Sequence, residues 1–400
     1  MGAEKCVLAY SGGLDTSALI PYMKEKFGYD IIAVLVDVGR MKEVESLRQR
    51  ALTAGATDAL VIDAQEEFLD DYAFVALKAN ALYEGRYPLH SALSRPLIAK
   101  KMVQVARERG AKVVAHGCTA KGNDQVRIDV SVRCLDPSVK VIGPARDWNM
   151  NRPELLDFLA ERGIDLPLTK KNPYSIDENL WGRAIECGEL EDPWQAAPDD
   201  AWQFTKEADA APSEPQEVVV RMEEGVPVAL DGKEVGPIAL VERLDTIAGS
   251  HGFGRVDMVE NRLVGIKSRE VYEVPGSLSL IMAHRELEDL TLTRELQHFK
   301  SAIDQRMTEL IYDGLWFSPL ADSLRAFIEE SQKRVSGEVR LRYFKGSCRV
   351  VGRRSPNSLY VGELATYDAG DEFKHEAAVG FIHLWGLPAE VWARKREGLL

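Results

Sequence analysis

The chain has 400 residues, more than one ordinary core at ~100–200 residues per domain accommodates, so at least two domains are expected. Hydrophobic residues make up 45% and charged residues 28%, a globular composition with no large disordered fraction. The formal net charge of −13 would repel a phosphate backbone, so nucleic acid is not expected as a partner.

The first apolar run, Cys6 to Ala9, is too short for a signal peptide, and no segment approaches the ~18 apolar residues of a membrane span. Neither a leader nor a membrane partner is therefore expected. The cysteines Cys6, Cys118, Cys134, Cys187 and Cys348 are odd in number and contain no C-x-x-C pair. That pattern points away from disulfides and structural zinc and toward a reducing compartment, the cytoplasm.

In chain order, short apolar runs at Cys6–Tyr10, Ile31–Val38, Ala59–Ile62, Lys112–His116 and Val139–Ile142 alternate with amphipathic stretches. Such alternation predicts five parallel strands covered by helices on both faces, a doubly wound α/β arrangement. The spacing of Leu93, Leu97, Ile98, Met102, Val105 and Ala106 predicts a core-facing helix over Ala92–Arg109. Pro21 falls inside the first helix and is expected to kink it.

Glu191–Glu217, with Pro193, Pro198, Pro212 and Pro215 among acidic residues, reads as a crossing or linker segment. A hairpin is expected from Glu217–Arg221 and Pro227–Leu230, followed by helical patterns over Glu286–Leu310 and Ser323–Val335. The basic stretch Arg340 to Arg354 alternates with Val339, Leu341 and Tyr343, as the solvated face of a half-buried strand would. Pro388–Leu400 reads as an amphipathic terminal helix, packed on a neighbouring subunit or on its own chain. The second part is therefore mixed α+β, and the expected division is 1–168, 169–385 and a terminal helix at 386–400.

Directly after the first strand stands Ser11-Gly12-Gly13-Leu14-Asp15-Thr16-Ser17, then a helical pattern. A Gly-rich turn at the carboxyl end of a parallel strand lets backbone approach an anion, and the helix dipole and first-turn amides favour negative charge there. Ser11, Thr16 and Ser17 add hydroxyl donors. The bland alternative is a strand-to-helix turn with Ser and Asp as caps. The Lys of a Walker A loop is absent, and the string is not a dinucleotide fingerprint.

Ser-Gly-Gly-x-Asp-[Ser/Thr] after the first strand resembles the pyrophosphate-binding loop of the N-type ATP pyrophosphatases. Further strings are similar to argininosuccinate synthases along nearly the whole chain: Ala81 to Tyr87, Arg95-Pro96, His116 to Thr119, Lys121 to Arg127, Asn172 to Leu180, Val259 to Arg262, and Lys267 to Arg269. The resemblance implies an adenine nucleotide alpha hydrolase-like nucleotide domain, then a synthetase and oligomerisation domain with a C-terminal helix.

It also implies site residues. Ala9, Tyr10, Ser11, Gly12, Gly13, Leu14, Asp15, Thr16, Ser17, Val36 and Gly117 would surround ATP. Thr119, Asn123 and Asp124 would hold aspartate, and Tyr87, Asn123, Arg127, Ser175, Glu260 and Tyr272 would hold citrulline. The implied reaction of arginine biosynthesis activates the citrulline ureido oxygen as an adenylate, after which aspartate displaces AMP. Asp15 and Asp124 would act electrostatically or by positioning. Mg²⁺ would enter with ATP and not in a protein cage, no bound organic cofactor is implied, and the family is typically homotetrameric.

His116 is expected as a satisfied structural group and Cys118 as a small buried residue. The chain departs from the family's usual pattern at Arg40 (Gln), Ala120 (Gly), Ala184 (often Ser) and Ile128-Asp129 (Phe-Glu). Ala120 is expected to crowd a left-handed turn. These positions leave two other readings open: a related ligase adenylating a different ureido or carboxyl acceptor, and a catalytically silent nucleotide-binding scaffold.

Overall fold

Cys6, Val7 and Leu8 are wholly buried, as a central strand covered on both faces requires. In the computed structural model, which describes residues 3–146, 148, 150–164, 174–368, 370 and 372–400, they form β1 (Lys5–Ala9). β2 (Asp30–Asp37), β3 (Asp58–Asp63), β4 (Val113–Ala115) and β5 (Lys140–Ile142) complete a parallel sheet of order β3-β2-β1-β4-β5. All five strands fall where the apolar runs predict them.

Alternate residues serve two separate cores. Val7, Ile32, Val34 and Val36 join one, while Cys6, Leu8, Ile31, Ala33 and Leu35 join the other. α1 (Leu14–Phe27) and α7 (Arg152–Ala160) belong with the second core, and the long α5 (His90–Arg109) with the first. α2 (Val44–Thr53) precedes β3, α3 (Gln65–Phe68) and α4 (Phe74–Lys78) flank a π-helical turn at Leu69–Ala73, and α6 (Asp124–Leu135) lies against α5. α1 runs through Pro21, which is buried within it, so the proline does not end the helix.

The rest of the first unit is antiparallel. β6 (Ser175–Asn179), β7 (Gly182–Glu186), β11 (Arg255–Asn261) and β12 (Lys267–Glu273) make a sheet of order β11-β12-β7-β6. β8 (Gln216–Glu223), β9 (Val226–Leu230), β10 (Lys233–Glu234), β13 (Gly337–Phe344) and β14 (Ser347–Arg354) make the other, ordered β10-β9-β8-β13-β14. Val339, Leu341 and Tyr343 are buried along β13, while Arg340 and Arg342 reach Glu217 and Arg353 reaches Glu286. The basic stretch is a strand with a solvated, ion-paired face. α8 (Pro237–Ser250) precedes β11.

One helix expected over Glu286–Leu310 is two: α9 (Pro275–Thr291) and α10 (Arg294–Tyr312). Leu292 turns extended, and the Thr293 side chain accepts from the Leu296 amide, so a threonine N-cap restarts the helix where apolar spacing alone continues it. α11 (Pro319–Gln332) follows, with Ser318 capping it.

The chain divides into compact units Met1–Asn357 and Ser358–Leu400. The second contains α12 (Gly362–Ala365) and α13 (His375–Arg396). The terminal helix thus begins well before Pro388, which sits inside it; proline at such a place forfeits one backbone hydrogen bond, and the apolar residues from Val379 to Leu387 continue its helical spacing. The expected boundary at 168/169, and Asn172 and Pro173 of the family string, lie outside the described residues.

Candidate active site

Chain order places β2 and β3 on one side of β1 and β4 and β5 on the other, so the crevice at the carboxyl ends of β1 and β4 is the switch point where such sheets bind ligands. A cavity of about 630 Å³ opens there. Its floor is the turn between β1 and α1.

Gly12 has φ +76, and a Cβ on it would come 2.4 Å from Leu47 Cδ2, so a left-handed, side-chain-free residue is required at this point. Gly13 begins α1 in extended conformation with no side-chain cap, which leaves the first-turn amides without intrahelical acceptors. The Ser11 and Thr16 hydroxyls are 3.1 Å apart, and Thr16 Oγ1 donates to the Gly13 carbonyl at 3.3 Å. Behind the turn, Arg50 Nη1 donates to the Gly12 carbonyl at 2.9 Å and Tyr10 hydroxyl meets Ser17 Oγ at 3.1 Å. The plain capped turn is therefore disfavoured, because the hydroxyls bond one another and leave the helix end uncapped.

Ala9, Tyr10, Ser11, Gly13, Asp15, Thr16, Val36 and Gly117 line the cavity. Gly12, Leu14 and Ser17 support it from behind; Leu14 and Ser17 are buried. Gly117 is required for closeness, since a Cβ there would meet Thr16 Cγ2 at 2.9 Å.

The opposite wall comes from α5, α6 and the β6/β7/β12/β11 sheet. Arg127 is buried: Nε donates to the Tyr312 carbonyl at 2.9 Å, Nη1 to Asp124 Oδ1 at 2.9 Å, and Nη2 has no partner among the described residues. A buried guanidinium edge without an acceptor is suited to a carboxylate. Glu260, 3% exposed, accepts from the Tyr272 and Tyr312 hydroxyls at 2.7 Å each. Burial raises its pKa, and those two hydroxyls oppose the rise. Tyr87 stacks on Tyr272 at 4.3 Å. Ser175 opens β6 and lines the cavity with Tyr87, Asn123, Asp124, Arg127, Glu260 and Tyr272.

Arg95 ties this wall together. Its Nη2 is 2.7 Å from Asp124 Oδ2 and 2.7 Å from Asp177 Oδ2. Burial would raise the Asp124 pKa, but the Arg95 and Arg127 guanidinium groups outweigh it and hold the carboxyl at about 2. Thr119 is different: it lies on an exposed turn, outside the cavity lining, and its carbonyl accepts from the Gly122 amide at 3.4 Å.

His116 Nδ1 accepts from the Cys118 amide at 3.1 Å, so its proton is on Nε2, 2.7 Å from Asp129 Oδ1. Arg146 holds the other Asp129 oxygen at 3.1 Å. Both ring nitrogens of His116 are thus satisfied, which props the turn that carries Gly117, and the residue also lines the cavity. Cys118 is not the buried residue expected: it is half-buried and lines the cavity, and desolvation there, with Asp124 beside it, pushes its thiol up to about 12, which leaves it protonated and poorly nucleophilic.

The departures resolve individually. Arg40 adopts φ 65, pairs with Asp245, donates from Nε to the Asn179 carbonyl at 3.0 Å and lies 4.2 Å over the Phe204 ring. It clasps the β2 loop to α8 and lines the cavity as a paired charge. Ala120 is not among the residues of positive φ, so the expected crowding does not arise. Ala184 faces the cavity from β7, opposite Tyr272 and Asp177 in the strand register.

Several lining residues had no assigned role in the sequence reading: Ser91, Arg95, Asp177, Glu186, Arg262 and Glu270. Arg262 pairs with both Glu186 and Glu270, and burial together with Glu186 pushes Glu270 up to about 7. Arg95, Asp177 and Arg262 lie within strings already singled out, whereas strand alternation gave no chemical signal for Glu186 or Glu270. Among the described residues, no three His, Cys, Asp or Glu side chains are grouped to hold a metal ion.

Comparison with known proteins agrees with this geometry. Residues 5–165 match the model of the Arginosuccinate synthase N-terminal HUP domain, and residues 174–392 that of the Arginosuccinate synthase C-terminal domain. The chain is 54% identical over 398 residues to an argininosuccinate synthase of Thermosynechococcus vestitus, covering 99% of each chain. It is 55% identical over 388 residues to that of Bacillus subtilis, covering 97% of this chain and 96% of the relative.

Proposed function

The chain belongs to the argininosuccinate synthase family, and we propose that it joins citrulline to aspartate at the expense of ATP, giving argininosuccinate, AMP and pyrophosphate. One observation carries the substrate assignment. Arg127, whose buried Nη2 has no partner among the described residues, and Glu260 line the same cavity as the Gly-rich turn. A guanidinium and a carboxylate on one wall match the carboxylate and ammonium of an α-amino acid, whose side chain then extends toward the nucleotide.

The turn at Ser11–Ser17 would hold the leaving pyrophosphate on backbone amides and hydroxyls, with Val36 and Gly117 beside the nucleotide. The citrulline ureido oxygen would attack the α-phosphorus and pyrophosphate would depart; the aspartate amine would then attack the ureido carbon and AMP would leave. Positioning and charge compensation supply the catalysis, with no covalent nucleophile. Asn123 and Asp124 would orient aspartate with Thr119 at the cavity's edge, while Tyr87, Ser175 and Tyr272 bound the citrulline side. Mg²⁺ would accompany ATP and offset phosphate charge. Asp15, a cavity-lining carboxylate in the first turn of α1, offers the hard oxygen such an ion prefers.

Residues 1–168 would form the nucleotide half and 169–385 the synthetase half; the family matches over 5–165 and 174–392 favour a change near 168, while the second match runs past 385. A homotetramer is proposed, with residues 386–400 in its contacts, because Val391 and Trp392 near the end of α13 are 43% and 63% exposed. Five free thiols favour a reducing cytoplasm. Among the described residues no helix is long and apolar enough to cross a membrane.

Pyrophosphate release from Mg-ATP with citrulline and aspartate, each omitted in turn, tests the reading. Release should require citrulline, and argininosuccinate should form only with aspartate. Release driven by another acceptor, with none from citrulline, would overturn it.

A further inference from the structure

Tyr312 ends α10, far in sequence from the residues expected around the amino-acid acceptor, yet it touches three of them. Its hydroxyl donates to Glu260 Oε1 at 2.7 Å and accepts from Asn123 Nδ2 at 2.8 Å. Its carbonyl accepts from Arg127 Nε at 2.9 Å, and the Arg127 guanidinium lies 4.8 Å from its ring centroid. The ring is held in turn, stacked 3.5 Å from Tyr83 with planes 4° apart. Tyr312 is absent from the cavity lining, so any effect it has on a bound molecule passes through these neighbours.

We infer that Tyr312 is a positioning residue that aims the Glu260 carboxylate at the acceptor's ammonium group while fixing Asn123 and Arg127 around it. The inference rests on the proposed reading of the acceptor as citrulline. The direction of the hydrogen bonds gives it content. Asn123 Nδ2 can only donate to the hydroxyl, so the single hydroxyl proton goes to Glu260. Tyr272 supplies a second hydroxyl proton to the other oxygen at 2.7 Å. Both oxygens are thereby fixed, and the remaining lone pairs have one orientation in which to meet a cation.

Removing the hydroxyl unties two groups at once: Glu260 loses one of its two tyrosine donors, and the Asn123 amide loses its acceptor. Tyr312→Phe does this while leaving the stack on Tyr83 and the carbonyl that holds Arg127. The informative comparison is between citrulline and 5-ureidopentanoate, which is citrulline without its α-amino group. The citrulline KM should rise about tenfold, the loss of one hydrogen bond to a charged group. The inhibition constant of 5-ureidopentanoate and the KM for ATP should move by less than about twofold, so that discrimination between the two ureido compounds falls by nearly the same factor.

A general loosening of the site would weaken both compounds together, and that result, or no change in either, overturns the positioning role. Should Tyr312→Phe fail to fold, Tyr312→His is read by the same ratio, since its shorter ring keeps the stack without the hydroxyl's reach. A parent protein that releases no pyrophosphate with citrulline overturns the functional reading and this inference with it. A responsive parent whose discrimination survives the substitution overturns the role of Tyr312 alone.

Discussion

Arg95→Met tests how the acceptor wall keeps two carboxylates charged. Arg95 bridges Asp124 and Asp177, and the three side chains are 15%, 29% and 35% exposed, so neither ion pair is wholly screened by water. Asp124 is moved from the ordinary 3.8 to about 2, which is about 2–3 kcal/mol in favour of its charged form at about 1.4 kcal/mol per pKa unit, shared between Arg95 and Arg127. Partial exposure lowers the share recoverable from that shift to about 1–2 kcal/mol.

Asp177 is also held below its usual range by Arg95, against the opposing effect of burial. Arg127 still donates to Asp124 in the variant, so that carboxylate is weakened and not stranded, whereas Asp177 loses its guanidinium; together the two effects should cost about 2–3 kcal/mol and lower the melting temperature by about 5 °C at pH 7. The sign of the pH dependence follows from the depressed pKa: the contribution is complete above about pH 4 and is lost as pH falls toward 2. Circular dichroism melts of parent and variant should therefore show a gap that is widest at neutral pH and closes over that window. A gap below about 1 °C at pH 7, or one unchanged down to the acid limit of folding, would refute the reasoning.

Arg127→Ala removes the guanidinium edge that has no partner among the described residues and should raise the citrulline KM about tenfold to a hundredfold while sparing ATP affinity, as measured by steady-state kinetics and nucleotide titration. Gly12→Ala places a methyl group against Leu47 in a left-handed residue, so ATP binding measured by calorimetry should weaken about tenfold or more. Deleting Pro388–Leu400 should lower the assembly state in sedimentation velocity; an unchanged tetramer would sink the proposed contact.

The sheet was legible because its central strands β1, β2 and β4 are buried on both faces, which writes continuous apolar runs, while the edge strands β3 and β5 are only partly buried yet keep short apolar runs, and the phosphate turn because its Gly-Gly pair and hydroxyls fall within seven residues. Side chains whose meaning depends on a distant partner were harder to read. Arg40 stood out only as a departure from the family's Gln, and its partners Asp245, Asn179 and Phe204 became visible when the fold brought them to it. Tyr312 lies at the end of an amphipathic helix and carried no local signal at all. The break at Leu292–Thr293 and the passage of α13 through Pro388 were missed because periodicity registers a buried or apolar face, while a cap or a tolerated proline is decided by single backbone groups.

The central claim is that the acceptor's own ureido oxygen takes the adenylyl group. Citrulline labelled with ¹⁸O at the ureido oxygen, turned over with ATP and aspartate, tests it most directly by mass spectrometry of the AMP. The account predicts that the label appears in the AMP phosphate, one atom per turnover, because displacement by aspartate breaks the ureido carbon–oxygen bond. Unlabelled AMP formed alongside argininosuccinate would contradict it.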